Sequence, residues 1–387
     1  MIFSISFLNR FFRILVVCLS ILILPGCATD SKQQTPPERS GVGQLYIAVL
    51  PFQNLTAKAA PLKYLRQLAV DRLKASGFSI LDDMTLERFM AAHRLRYTGG
   101  LDTETARAFK AELGIGAVLI SSVELYDEKS PPKIALLSRL VSTAEPLSIL
   151  WIDSVSLTGD ESPGILGIGL IEDPQKLTEV AVGRLCSSIT GHFSGKTETI
   201  NRGRWGYRPR AVFASPALRK GERYTIAVVP FTNKSMRRNA GDLIALNFAE
   251  QLVKSGNFEV VEPGIVREDL LNMRLVTPEG ISLSDIDLLF SLLNTDLVLI
   301  GDDLDYQDPQ GSAETAKVEF SMDVIYRTGG RFAGGKIIWS SSSHNEGDDY
   351  IYAFDWGKVY TAHELTSRMT SRILRMLHER LFSDQAS

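Results

Sequence analysis

The chain has 387 residues, which favours two domains over one because a single hydrophobic core seldom grows beyond about 250 to 300 residues. Its 42 basic and 45 acidic residues give a net charge of -3, which disfavours a nucleic-acid-binding protein held by bulk positive charge. Hydrophobic residues make up 44% of the chain and charged residues 22%, a composition that disfavours a wholly disordered protein.

The N-terminus has the pattern of a secretory signal. Arg10 and Arg13 precede an apolar run over residues 14–24, which is too short for a comfortable transmembrane helix of about 20 residues. The run leads into the letters LPGC, which resemble the bacterial lipobox, where the cysteine is lipidated and becomes the mature N-terminus. We therefore predict a lipoprotein signal peptide at residues 1–26 and acylation of Cys27 with palmitate; an ordinary cleaved signal with an incidental cysteine is the alternative.

The residues around Cys27 predict its membrane and its redox chemistry. Ala28 follows it, whereas Asp at that position commonly retains Gram-negative lipoproteins in the inner membrane; by this resemblance we expect the outer membrane, with the protein facing the periplasm. The polar, proline-containing stretch that follows predicts a lipidated tether at 27–43. Cys18 leaves with the signal and Cys27 is acylated, so Cys186 is the one remaining thiol and no intramolecular disulfide is expected.

The remaining sequence repeats itself once. The letters YIAVLPF at 46–52 return as TIAVVPF at 225–231, and the spacing between matched residues rises from 179 for the prolines of these segments to 188 for Trp151 and Trp339. A spacing that rises in steps is what tandem copies of one domain produce when their insertions lie in loops. The predicted boundaries are 44–193 for the first α/β domain, 194–223 for a basic linker and 224–383 for the second α/β domain.

Hydrophobic periodicity predicts the order β-α-β-α-α-β-β-β-α in each copy. Short apolar runs predict strands, and recurrence every three to four residues predicts helices. Crossover and hairpin strands together imply a three-layer or two-layer α/β sandwich on a mixed sheet. The elements of the first copy are 45–50, 62–73, 78–81, 85–95, 103–113, 117–125, 134–141, 147–155 and 174–192. Those of the second copy are 226–229, 243–255, 258–261, 266–275, 284–293, 297–304, 318–326, 336–341 and 362–381.

Several segments of both copies resemble one group of periplasmic proteins. They are IAVLPFQNLT, SGFSILDD, LGIGAVLISSVELYD and WIDSVSLTGDE in the first copy, and IAVVPFTNKS, SGNFEVVE, LLNTDLVLIGDDLDY and IIWSSSSHNEGDD in the second. Together they look like the α/β domain shared by curli-secretion (CsgG-like) lipoproteins, penicillin-binding-protein activator lipoproteins and the N-terminal domain of TolB. The resemblance covers nearly the whole mature chain and implies a non-enzymatic factor of envelope assembly, secretion or enzyme activation.

Two asparagines occupy equivalent places after the first strand of each copy. Asn54 and Asn233 both follow the Pro-Phe pair that ends this strand. Because α/β proteins bind ligands at the carboxyl ends of parallel strands, these two side chains are candidate binding residues. Asparagine more commonly closes a turn by bonding to its own backbone, and this turn role is the alternative that we favour.

The sequence predicts no metal site and no cofactor. The carboxylate pairs at 160–161 and 348–349 lack the oxygen-rich loop that Ca²⁺ requires, and solvated turns explain them. His344 and His363 lie 19 residues apart, which matches no zinc spacing. The glycines of SPGILGIGL lack the flanking residues of a phosphate loop, and no G-x-S-x-G elbow or Cys/His nucleophile signature occurs.

The predicted linker is unusually basic. Residues 194–223 carry 8 basic and 2 acidic side chains, a net charge of +6 in a chain of net charge -3. Aromatic residues alternate with its arginines, a combination that suits carboxylate, phosphate or aromatic partners. Arg202, Arg204, Arg208 and Arg210 are therefore candidates for binding an anionic envelope partner, whether lipid, glycan or protein. Docking of the segment against the acidic faces of the two domains is the interpretation that we favour.

We therefore predict a membrane-anchored periplasmic lipoprotein that acts as a non-enzymatic envelope assembly or secretion accessory factor through protein binding. The alternatives are a lipoprotein activator of a cell-wall enzyme and an enzyme whose site the sequence does not reveal. A pore is not expected, because the two hairpins long enough to cross a membrane belong to the domain sheets. The predicted partners are envelope proteins, the membrane through the lipid anchor, and an anionic glycan or lipid, but not nucleic acid.

Overall fold

Buried apolar strands form one mixed sheet in the first half of the chain, residues 45–195, and another in the second half, residues 206–383. The computed structural model describes residues 45–160, 170–195, 206–275, 281, 283–309, 314–329, 334–351 and 357–383. The first half contains β1 (Tyr46–Val49), β2 (Gln53–Asn54), α1 (Leu62–Ala75), β3 (Ser79–Ile80), α2 (Asp83–Ala92), α3 (Thr103–Leu113), β4 (Ala117–Asp127), β5 (Lys133–Ser142), β6 (Ile149–Thr158) and α4 (Pro174–Phe193).

The second half contains the same kinds of element, with two extra strands at its start and one at its end. They are β7 (Ala211–Ala214), β8 (Leu218–Arg219), β9 (Tyr224–Val228), β10 (Thr232–Asn233), α5 (Ala240–Ser255), β11 (Phe258–Val260), α6 (Pro263–Asn272), α7 (Leu283–Leu293), β12 (Leu297–Gln307), β13 (Lys317–Arg327), β14 (Gly335–Glu346), α8 (Ala362–Leu381) and β15 (Phe382–Ser383).

The two sheets have similar strand orders. Sheet 1 has the order β3-β1-β4-β5-β6, with β2 also paired to β4, and sheet 2 has the order β11-β9-β12-β13-β14-β7, with β10 also paired to β12. In both sheets the short strands that precede the first long strand pair parallel, β1 with β3 and β4, and β9 with β11 and β12. The long strands pair antiparallel with one another, and β7 pairs antiparallel with β14. The short strands β8 and β15 pair with each other.

Local sequence signals account for most of these elements. The antiparallel pairing of β5 with β6 confirms the predicted hairpin. Asp102 accepts a hydrogen bond from Thr105 N at 2.7 Å and so caps α3. The helix ends at Gly114, whose φ of 66° is in the left-handed region that glycine tolerates. The strands β7 and β8 lie inside the segment that the sequence predicts to be a linker.

The two sheets share a helical layer. One face of sheet 1 packs on α1 and α4, while Leu137 and Ile152 on its other face belong to the hydrophobic cluster that contains α5 and α8. The position of α5 between the sheets explains its burial: 11 of its residues are buried, against four in α1. Both halves accordingly belong to one compact unit, Ser40–Ser387.

Candidate functional site

A buried ion pair joins the first half to the second. The Arg139 guanidinium on β5 donates to the Glu262 carboxylate, with 2.6 Å between Nη2 and Oε1 and 3.0 Å between Nε and Oε2, and it also donates to the Gly99 carbonyl at 2.8 Å. The two side chains are only 2% and 0% exposed. Charges so deeply buried are tolerated only when each is paired and hydrogen-bonded. Because Glu262 also caps α6, the pair holds the start of this helix against β5.

Glycines let the backbones of the two halves touch beside this pair. A Cβ on Gly264 would lie 2.2 Å from Leu101 N, and a Cβ on Gly100 would lie 2.5 Å from Gly264 Cα. Glu262 Oε1 accepts hydrogen bonds from the backbone N–H groups of Leu101 and Gly264, both at 3.3 Å. One carboxylate thus accepts hydrogen bonds from donors of both halves. Any side chain larger than that of glycine at Gly100 or Gly264 would push the two halves apart.

A second buried pair joins β4 to α8. Glu124 lies at an irregularity in the β4–β5 pairing, a bulge that redirects its side chain toward His363. His363 Nδ1 contacts Glu124 Oε2, and the two side chains are 3% and 1% exposed. Burial by itself lowers the pKa of His363, but the charge and hydrogen bond of Glu124, with smaller contributions from Glu250 and Asp308, outweigh it, so the pKa is raised.

The His363–Glu124 pair predicts a pH dependence of stability. Because the pKa of His363 is raised by folding, its contribution is fully present below the unfolded-state pKa of about 6.5 and is lost as the pH rises through the higher folded-state value. From about pH 6 to pH 9, urea titrations should therefore show a steeper loss of stability for wild type than for His363→Gln. His344→Gln, at a ring that contacts Glu319 within the second half, is the matched control. Parallel pH profiles for wild type and His363→Gln would contradict this assignment.

The contact between the two halves around Arg139 and Glu262 is called the junction below. A pocket of about 500 Å³ opens beside the junction, at the carboxyl end of β9. β9 lies between the parallel strands β11 and β12, so the chain turns to opposite sides of it, as at the switch points where α/β proteins bind ligands. Apolar side chains from both halves line it, among them Leu55, Phe231 and Leu270. Its volume and lining are those of a site for an apolar group.

Two charged side chains reach this apolar pocket. The Arg267 guanidinium carbon lies 3.9 Å from the centroid of the Tyr97 ring, a cation–π contact between the two halves. Burial raises the pKa of Asp242, and the nearby charge of Arg267 opposes that rise. The pocket therefore presents one positive and one negative group at its apolar wall.

The asparagines predicted as binding residues both form turns. Asn54 Oδ1 accepts from Thr56 N and Asn233 Oδ1 accepts from Ser235 N, each at 3.0 Å, which is the alternative role weighed from the sequence. Asn233 also lines the pocket at β9. A binding role for either amide stays a prediction.

The turn at Asn233 also connects the two halves. Its amide nitrogen donates to the Arg237 carbonyl at 2.7 Å, which closes the loop on which Arg237 is carried. The Arg237 guanidinium then donates to main-chain carbonyls of the first half, at 3.3 Å to Leu55 and 2.7 Å to Glu124. Arg237 therefore adds a further polar connection between the two halves.

Of the predicted lipidation site and the four candidate arginines of the basic segment, the structure describes only Arg208 and Arg210. Cys27, Arg202 and Arg204 lie outside the described residues. Arg208 and Arg210 are exposed, while the backbone N–H of Arg210 donates to the Ser342 carbonyl at 2.8 Å. The segment is thus attached to the second half by its main chain, with these two guanidinium groups directed to solvent.

Sequence reasoning missed the junction, although one signal for it was present. Arg139 and Glu124 interrupt apolar strand runs, and a charge in a buried strand requires a partner. The partners lie 123 and 239 residues away along the chain, so no local pattern identifies them. Only the packing of the second half on sheet 1 brings Glu262 and His363 into place.

The described part of the chain lacks two other kinds of functional feature. It contains no group of three or more His, Cys, Asp and Glu side chains placed to hold a metal ion. None of its helices is both long and apolar enough to span a bilayer. Cys186 lies in the core of the first half, and burial raises the pKa of its thiol to about 11.

Comparison with known proteins found similarity among solved structures alone. No protein-family model and no curated protein matches the chain. The PelC dodecamer from Paraburkholderia phytofirmans is 16% identical, over 44% of this chain and 96% of that chain, with a TM-score of 0.30. Lipoprotein GNA1162 from Neisseria meningitidis is 19% identical, over 37% of this chain and 98% of that chain, with a TM-score of 0.26. The LpoB C-terminal domain from Salmonella enterica is 16% identical, over 30% of this chain and 84% of that chain, with a TM-score of 0.26. At these values the similarities assign no family, function or partner to the chain.

Proposed function

We propose that this protein is a lipid-anchored, non-enzymatic accessory factor of the bacterial envelope that works by binding other proteins. The observation that carries the proposal is the location of the buried charged pairs of this protein. Arg139 with Glu262, and Glu124 with His363, join the two halves instead of meeting at the pocket. A protein that works by binding needs its surfaces held in a constant orientation, and these two buried pairs fix the first half against the second.

We further propose that the two halves are copies of one domain, at 44–193 and 224–383. Three equivalences support this. The strand orders match, and both sheets have an irregularity at the same point, after Val123 in sheet 1 and after Asp303 in sheet 2. In addition, a Cβ on Gly159 would lie 2.1 Å from Ile171 O, and one on Gly347 would lie 2.3 Å from Val359 O, so each copy requires glycine at this turn.

The anchor is proposed at Cys27, after a signal peptide at 1–26 and before a tether at 27–43, with the outer membrane as the destination. Metabolic labelling with radioactive palmitate tests it. Wild type and the control Cys18→Ser should incorporate label, whereas Cys27→Ser should not, because Cys18 belongs to the segment that is removed. Label that survives Cys27→Ser, or wild type without label, would overturn the anchor.

Protein binding is tested by affinity capture of the full chain from crosslinked envelopes. Wild type should recover the same envelope protein in repeated captures, and that protein should recover this chain in the reciprocal capture. Cys27→Ser should recover less of it, because the unanchored protein loses the high local concentration that the membrane provides. A wild-type capture that yields no reciprocal partner would sink the proposed function.

A further inference from the structure

The last strand of sheet 2 is covered by a strand that the chain itself supplies. β7 pairs antiparallel with β14, placing Phe213 opposite Ser340. Main-chain hydrogen bonds extend this pairing on both sides, from Arg210 N to Ser342 O at 2.8 Å and from Ser215 N to Ile338 O at 2.9 Å. The outward backbone groups of β14 are therefore occupied.

The corresponding strand of sheet 1 ends its sheet. Gly159 N donates to Pro132 O at 2.8 Å, and Gly347 N donates to Ala316 O at 2.7 Å, which places the two sheets in the same register. In an antiparallel pair the backbone groups alternate in direction, so those of Ile152, Ser154 and Ser156 point away from β5. No other described strand pairs with β6 on that side.

A groove of about 840 Å³ runs along this free edge, between residues 153–156 of β6 and helix α4. Arg72, Lys176 and Arg184 line it. The Nε of Arg72 is buried and makes no hydrogen bond, and Gly183 leaves room for the same guanidinium, since a Cβ there would lie 2.9 Å from Arg72 Nη1. The groove thus combines free main-chain groups with basic side chains.

The acidic groups of this groove already have partners. Asp153 contacts Lys254 and accepts hydrogen bonds from the Ser188 hydroxyl and from Ser154 N. Glu179 accepts from the Tyr64 hydroxyl. The N–H of Ser154 is already bonded, so the Ser154 carbonyl and the backbone N–H and C=O of Ser156 are the groups that can pair with an added strand. The basic side chains beside them outnumber the acidic ones.

We propose that the edge of β6 binds an extended acidic segment of a partner protein, which adds to sheet 1 as an antiparallel strand in the way that β7 adds to sheet 2. Main-chain hydrogen bonds supply affinity in such strand addition, and flanking side chains supply selectivity. The basic groove selects acidic residues beside the strand. This inference rests on the proposed function, because it names the surface and the chemistry of the partner.

The test uses the full-length protein in detergent and a fluorescent hexapeptide, EAVFAE, which places the four residues of β7 between acidic ends. We expect EAVFAE to bind, KAVFAK to bind roughly tenfold more weakly, and an EAVFAE peptide with alternate backbone N-methyl groups not to bind. Lys176→Glu with Arg184→Glu should weaken EAVFAE binding about tenfold. Both side chains are exposed, so folding is preserved, and Lys74→Glu, exposed on α1 outside the groove, should leave binding unchanged.

Amide hydrogen exchange locates the bound peptide. Exchange should slow within 149–158 when EAVFAE is added and should not slow with the N-methylated peptide. Failure of EAVFAE to bind, protection elsewhere, or groove-dependent self-association of the chain would overturn the edge site. If the groove variant still captures its envelope partner, the proposed function holds and the edge site fails; if wild type binds EAVFAE but captures no envelope protein, the proposed function fails instead.

Discussion

Glu262→Leu is expected to lower the free energy of unfolding by about 3 to 5 kcal/mol, the cost of leaving one member of a buried ion pair without its partner. The Arg139 guanidinium would keep the Gly99 carbonyl and lose both carboxylate oxygens, in surroundings where it is only 2% exposed. The substitution also removes the cap of α6 and the acceptor of Leu101 N. Urea unfolding followed by circular dichroism measures the loss.

Two further variants separate the ion pair from general effects. Glu259→Leu removes an exposed carboxylate three residues earlier and should change the stability by less than about 0.5 kcal/mol. Arg139→Leu combined with Glu262→Gln removes both charges, keeps an oxygen to cap α6, and should recover a large part of the loss. If Glu262→Leu is as stable as Glu259→Leu, the pair does not hold the junction.

Gly264→Ala should destabilise the protein by about 1 to 3 kcal/mol, because the added methyl group would overlap the backbone of the other half. The nearest atoms to the new Cβ would be Leu101 N at 2.2 Å and Leu101 O at 2.7 Å, and a main chain cannot move aside as the end of a flexible side chain can. The two halves would have to separate at this point. Differential scanning calorimetry and limited proteolysis of the segment 194–223 measure the result.

Gly191→Ala provides the matched control for Gly264→Ala. Gly191 lies in α4, and a Cβ there would meet nothing within 4 Å. Alanine is preferred to glycine in a helix by roughly 1 kcal/mol, so this variant should be as stable as wild type or more so. A melting temperature for Gly264→Ala at or above that of Gly191→Ala would show that the close approach at Leu101 is not required.

Glu262 and Gly264 contribute to the same physical property of the molecule, the fit of the second half against the first. The junction contains a buried ion pair and a backbone contact that admits no side chain, and both depend on a fixed relation between β5 and the start of α6. The pocket at β9 has walls from both halves, so loosening the junction would change its shape. Stability measurements on the Glu262 and Gly264 variants therefore also show how strongly the orientation of the proposed binding surfaces is fixed.

The order of the helices and strands within each half is determined by the sequence itself. The hydrophobic periods predict the long strands and helices of both halves, and the predicted bounds of α3, residues 103–113, are those observed. The cap of α3 also depends on a neighbouring residue, since Asp102 accepts from Thr105 N three residues further on. Such features depend on contacts within a few residues along the chain, and so a single sequence carries them.

The tertiary structure alone decided what joins the halves and which edges are covered. β7 is a four-residue strand whose pairing depends on β14, more than a hundred residues further on, and its letters AVFA have no period of their own. Glu124 is directed at His363 by a bulge that simple strand alternation does not foresee. The burial of α5 between two sheets likewise depends on how the second half packs on sheet 1. These contacts are long-range, and the shape and charge of the packed elements determine their partners.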